Sequence, residues 1–111
     1  MILPNVQNIL VEETKVVDYL LNPGHPDNGG KAAFFIGWGF LASEWTRLAE
    51  AIREMVSRRE ATDPIQSPWG EKYVVEGTLN APKGTTPPVR TVWIVDGLLK
   101  VPRLVTAYPG K

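Results

Sequence analysis

The spacing of apolar positions changes once along this chain. Up to about residue 60 they recur every three or four residues, and from Glu71 onward they alternate with polar ones. Val16, Val17, Leu20 and Leu21 therefore predict a short helix over residues 14–21, entered from an Ile9-Leu10-Val11 segment with the character of an edge strand. A stretch rich in Ala and Phe over residues 31–38, closed by Gly37 and Gly39, predicts a second short helix. Trp45, Leu48, Ile52, Met55 and Val56 predict a third, whose apolar face lies against a sheet. Ser43 is its expected N-cap, and Glu44 near the start with Arg53, Arg58 and Arg59 near the end suits the helix dipole. Alternation then predicts strands over residues 72–79, 89–95 and 98–108. The expected class is α+β, with N-terminal helices packed on one face of a three- to four-stranded antiparallel meander, in a single domain spanning residues 1–111.

Turn formers separate these elements. Asn22-Pro23-Gly24-His25-Pro26-Asp27-Asn28-Gly29-Gly30 excludes regular structure, and residues 61–70, with Pro64 and Pro68, join the helical half to the strands. Residues 80–88 form a longer turn whose Pro87-Pro88 holds the start of the next strand extended. Asp96-Gly97, between two apolar runs, is the strongest local signal, because Asp-Gly is the preferred pair for a two-residue hairpin turn. That turn pairs Val95 with Leu98, Ile94 with Leu99, Trp93 with Lys100 and Val92 with Val101, and it sets Arg90 across from Arg103. Pro102 opposes this arrangement. Lacking an amide donor, it belongs at an edge, facing outward, or at a bulge, and a bulge would shift the register.

Like charges directly opposite one another repel, so two arginines on one face require an acid or a bound anion. Glu76, diagonal to Arg90 on the preceding strand, is the acid available for an ordinary salt bridge. The alternative is an anion site, since the planar arginine fork suits a phosphodiester or a partner's carboxylate. His25 is the one histidine of the chain, and histidine is the side chain best suited to proton transfer near neutrality. Lys31 stands where a cation opposes the helix dipole, a penalty of about 0.3–1 kcal/mol that an anion would remove. Thr106 and Tyr108 fall on the opposite face from Arg103 unless a bulge intervenes; brought to a phosphate, their hydroxyls would orient it or donate a proton. Trp38, Trp45 and Trp93 read as core, whereas Trp69, between Pro68 and Gly70, reads as an exposed aromatic contact.

Composition narrows the chemistry. Twelve basic and twelve acidic residues cancel, which removes any global attraction to nucleic acid and leaves only local contact. Glu12, Glu13 and Asp18 lie early and Lys72, Lys83, Arg90, Lys100, Arg103 and Lys111 late, so the C-terminal part is the more basic. With no cysteine and a single histidine, disulfides and an ordinary zinc site are excluded, and no metal or cofactor is expected. There is no phosphate loop, metalloprotease helix, calcium loop or nucleophile elbow. No apolar run approaches the ~18 residues of a membrane span and the N-terminus lacks signal-peptide character, so the expected location is the cytoplasm, with no membrane partner.

Three separated blocks carry a resemblance. Leu21-Asn22-Pro23-Gly24-His25-Pro26 with Lys31-Ala32, Phe34 or Phe35 and Gly39-Phe40 opens the pattern; Tyr73-Val74-Val75-Glu76-Gly77 and Val89-Arg90-Thr91-Val92-Trp93-Ile94-Val95 continue it; Pro102-Arg103-Leu104-Val105-Thr106-Ala107-Tyr108-Pro109 ends it. Together they resemble a family of small uncharacterised bacterial domains, similar in layout to metal-independent ribonuclease toxins of the barnase, EndoU and RelE-like group. The resemblance implies RNA phosphodiester cleavage and neutralisation by a small antitoxin-like protein. It makes His25 the proton-transfer group, has Lys31, Arg90 and Arg103 hold the phosphate, and has Thr106 or Tyr108 assist. Zero net charge and the lack of a second histidine depart from that pattern. The rival reading is a non-catalytic module whose sheet edge and Arg90/Arg103 pair bind an acidic protein surface.

Overall fold

The computed structural model describes residues 2–27, 30–98 and 100–110. The expected pairing of Leu99, the Asn28-Gly29 part of the loop and the charge of Lys111 lie outside the described residues.

Three helical segments precede a four-stranded sheet. The first, α1, starts as an α-turn at Glu13–Lys15 and continues as a π-helical turn at Val16–Leu20, where the Leu21 amide reaches the Val16 carbonyl at 2.8 Å. α2 spans Lys31–Gly37 and α3 spans Trp45–Arg58. The strands are β1 Ile65–Ser67, β2 Gly70–Thr78, β3 Pro88–Val95 and β4 Pro102–Pro109, antiparallel in the order β1-β2-β3-β4. This is the expected α+β meander, with a fourth, short strand inside the connection at residues 61–70. Leu10 adds a parallel bridge beside Arg103 on the outer edge of β4, so the Ile9-Leu10-Val11 segment does lie along a sheet edge.

Ser43 does not cap α3. A 3-10 turn at Ala42–Glu44 leads into the helix, and no side chain bonds its first amides. The apolar face behaves as its spacing demands: Leu48, Ile52, Met55 and Val56 are all buried. α3 approaches β2 closely because residue 77 is glycine; a Cβ there would lie 2.7 Å from Met55 Cγ.

The sheet has a helix-facing side built from Tyr73, Val75, Val89, Thr91, Trp93, Val95, Leu104 and Ala107, all buried. Its one buried polar side chain is satisfied twice: Thr91 Oγ1 donates to the Val75 carbonyl at 2.9 Å and accepts from Trp93 Nε1 at 2.8 Å. The opposite side carries Lys72, Val74 and Glu76 of β2, Arg90, Val92 and Ile94 of β3, and part of β4.

The β3–β4 register departs from expectation. Val95 pairs with Pro102 rather than Leu98, so Asp96-Gly97 opens a six-residue loop over 96–101 instead of a two-residue turn. Asp96 still acts locally, its Oδ1 accepting the Leu98 amide at 3.0 Å and its carbonyl the Lys100 amide at 3.2 Å. The loop is then fixed from outside. Lys100 takes a left-handed conformation (φ 56), and its carbonyl accepts Asn5 Nδ2 at 2.7 Å. Pro102 heads β4, where its missing amide costs nothing and its carbonyl accepts the Leu10 amide at 2.8 Å. The bulge lies further along: Trp93 pairs with Leu104 and Val92 with Thr106, which leaves Val105 as the extra residue.

Candidate functional site

The new register separates the two arginines. Arg103 pairs with Ile94, and Arg90 pairs with Tyr108 on one side and Glu76 on the other. Arg90 Nε lies 3.3 Å from Glu76 Oε1, in a charge contact without hydrogen-bond geometry. The expected Arg90–Arg103 anion clamp is therefore not formed. Glu76 is directly opposite Arg90 rather than diagonal to it, and the ordinary salt bridge holds.

The bulge does what the two-residue turn was expected to do, for different side chains. One extra residue inverts the alternation, so Thr106 and Tyr108 emerge on the same face as Arg103. Both then meet residues from the other end of the chain. Thr106 Oγ1 shares a hydrogen bond of 3.2 Å with Tyr19 Oη, and the Lys31 ammonium donates to the same phenol oxygen at 3.1 Å. Lys31 Nζ also stands 5.9 Å from the centre of the Tyr108 ring.

His25 reaches this cluster through its loop. Asn22 Oδ1 accepts the Gly24 amide at 3.0 Å, its Nδ2 donates to the Asp18 carbonyl at 3.2 Å, and the His25 amide closes a turn on the Asn22 carbonyl at 3.1 Å. The chain thereby folds back onto α1, and the imidazole meets the Tyr19 ring edge-on, with centroids 5.1 Å apart at 87°. His25 Nδ1 accepts the Asp27 amide at 3.0 Å, which leaves the ring proton on Nε2. Thus His25, Lys31 and Thr106, drawn from a loop, a helix start and one strand, meet around the Tyr19 side chain, and Tyr108 stands beyond Lys31.

Tyr19 is the residue that sequence reasoning passed over. Its position reads as one more member of an amphipathic helix, and nothing in local spacing shows that Lys31 and Thr106 come to it. One local signal existed: Lys15 precedes it by four residues, the spacing that places two side chains on one helix face. Lys15 Nζ lies 4.9 Å from the centre of the Tyr19 ring and Lys31 Nζ 5.4 Å. Burial alone would raise the Tyr19 pKa above its ordinary value. The hydrogen bonds from Thr106 and Lys31 and the charges of Lys31 and Lys15 outweigh it, so the phenol is more acidic than an ordinary tyrosine.

Thr106 and Tyr108 also form one end of a 680 Å³ groove on the outward side of the sheet, with Val92, Ile94 and Val105 as its floor and Lys72, Arg103, Ser67 and Trp69 towards its far end. Trp69 is 72% exposed, as its place between Pro68 and Gly70 predicted. Trp93 is fully buried, and Trp38 and Trp45 pack partly buried against the core. Among the described residues no three His, Asp or Glu side chains gather into a metal-binding set. No described helix is long and apolar enough to cross a membrane.

Over residues 2–111 the sequence matches a family described as Domain of unknown function (DUF6883). The chain belongs to this family. Membership of a domain family without an established activity accords with the sequence reading. No curated protein matches the chain. Among solved structures, a chain of a contact-dependent growth inhibition toxin–immunity protein complex from Klebsiella pneumoniae 342 is similar, with a TM-score of 0.73 over 96% of this chain and 97% of that one. Their sequences are 15% identical, so the likeness is one of fold.

Proposed function

We propose that this DUF6883 domain is a toxin-like ribonuclease that cleaves RNA phosphodiesters without a metal ion, acts in the cytoplasm, and is held in check by a small antitoxin-like partner protein. The observation that carries the reading is the meeting of Lys31 Nζ, Thr106 Oγ1 and His25 around the Tyr19 phenol. The structural neighbour, being part of a toxin–immunity complex, supports a partnered toxin.

The cluster contains what transesterification needs. The ribose 2′-oxygen attacks the adjacent phosphorus, its proton passes to a base, and the bond to the 5′-oxygen breaks as an acid protonates that oxygen. His25 is the base. Accepting the proton on Nε2 requires the other tautomer, which forfeits the Asp27 amide bond at about 0.5–1.5 kcal/mol, a small part of any such barrier. Tyr19 is the acid, because the ammonium of Lys31 and the hydroxyl of Thr106 stabilise the phenolate left behind. Lys31 also offsets charge gathering on the phosphate, and Tyr108 orients it. Arg90, engaged with Glu76, plays a smaller part than Arg103.

The test combines growth with product chemistry. Induced in bacteria, the wild-type chain should arrest growth and fragment RNA; purified, it should leave 2′,3′-cyclic phosphate and 5′-hydroxyl ends in the presence of a chelator. His25→Ala and Tyr19→Phe should each reduce cleavage about 10²- to 10⁴-fold while folding normally. Intact RNA with the folded wild-type protein, in cells and in vitro, would overturn the reading.

A further inference from the structure

The outward groove holds features that the catalytic cluster does not use. Its floor is nearly as buried as a core: Val92 is 7% and Ile94 8% exposed although both lie outside the main core cluster. At its far end the Trp69 ring stands in solvent on the tip of the β1–β2 hairpin. That tip is rigid. Ser67 pairs with Gly70, Pro68 fixes its own φ, and the Ser67 hydroxyl accepts the Trp69 amide at 3.2 Å while donating to the Gly70 carbonyl at 2.7 Å. Gly70 has φ +129, and a Cβ there would lie within 2.4 Å of the Val95 carbonyl oxygen, so the hairpin sits hard against the end of β3.

Charge along the groove has one sign. Lys72 and Arg103 flank Ile94 on either side in the sheet, and among the described residues neither takes part in an ion pair. Glu12 lines a neighbouring hollow with Lys15 and Arg103. Glu76, the acid of this sheet face, faces Arg90. An exposed indole on a hydrogen-bonded turn, an apolar floor and two cations form the combination that binds single-stranded nucleic acid: rings stack on the aromatic and phosphates sit on the cations. The volume, 680 Å³, falls within the range of small-ligand sites. From the Ile94 row to the Arg90 row is four residues of β3, or about 13 Å, so the groove leads from Trp69 straight to Thr106 and Tyr108.

We infer that this groove is the subsite for a nucleotide of single-stranded RNA next to the one whose phosphate is cleaved, its base stacked on Trp69 over Val92 and Ile94 and its phosphate held by Arg103 and Lys72. This rests on the ribonuclease reading and names its substrate as unpaired RNA. A duplex does not fit, because its bases are not free to stack on a side chain.

Binding and cleavage are measured separately. The probe for binding is a fluorescent, fully 2′-O-methylated RNA pentanucleotide, which cannot be cleaved, followed by anisotropy with the wild-type chain. Trp69→Ala should weaken binding about 5- to 150-fold, Trp69→Phe should restore most of it, and Arg103→Ala should lower the slope of log affinity against log salt by about one. Unchanged affinity in Trp69→Ala, or no binding by the wild type, would overturn the inference, and capture of a protein partner on Trp69 in place of RNA would do the same. Loss of the groove's role with cleavage intact strikes only this inference. Binding through Trp69 without cleavage of any RNA strikes only the catalytic reading.

Discussion

The two faces of the sheet are built from the same three strands, alternate residue by residue, and are both apolar at their centres. On the helix side, Val75, Val89, Trp93 and Leu104 share one core with residues of α1, α2 and α3, and the polar Thr91 among them has both a donor and an acceptor to satisfy it. On the outward side, Val92 and Ile94 line an open groove whose rim is aromatic and cationic. Apolar content therefore does not separate a core from a binding surface in this protein. What separates them is whether a second layer covers the strands and whether the polar groups at the rim already have partners.

That contrast can be broken most sharply at the cluster joining the groove to the helices. Tyr19→Phe removes one oxygen and should cost about 10²- to 10⁴-fold in RNA cleavage with little change in stability, as read by rate assays and thermal melts on the same sample. On the covered side, Trp93→Ala should lower stability by about 3–5 kcal/mol in urea unfolding, since it empties the core and removes the donor bonded to Thr91. Trp69→Ala, a deletion of the same size on the open side, should change stability by no more than about 0.5 kcal/mol. Equal losses at the two tryptophans would show that the outward face is covered.

A subtler test uses pH. The phenol of Tyr19 is acidified, against burial, by its hydrogen bonds with Thr106 and Lys31 and by the charges of Lys31 and Lys15, so the alkaline fall in cleavage should begin below the ordinary tyrosine value of 10.0. Lys31→Met removes both its hydrogen bond and its charge, and should move that fall to higher pH as well as slowing the reaction. An alkaline limb that stays in place would separate Lys31 from Tyr19. The smallest effect is expected at the far end of the face: Glu76→Gln breaks the exposed pair with Arg90 and should cost about 0–1 kcal/mol of stability and little activity.

Element types and faces were legible in the sequence because periodicity is a local property. The spacing of Leu48, Ile52, Met55 and Val56 admits one buried helix face, the alternation after Glu71 admits strands, and Trp69 between proline and glycine has no pattern to bury it. His25, Lys31, Thr106 and Tyr108 were singled out by their side-chain chemistry and by the family resemblance, not by periodicity. Pairing register was not legible. Asp96-Gly97 has the local preference for a tight hairpin, yet Asn5 holds the loop at Lys100 and Leu10 pairs beside Pro102, so contacts from the first ten residues outweigh the turn. A slip of this kind moves every side chain of β4, and the bulge at Val105 reverses the face for those beyond it. The hub at Tyr19 was hidden by distance: it meets Thr106 from 87 residues away, and no periodicity reports a contact between parts of the chain that only folding brings together.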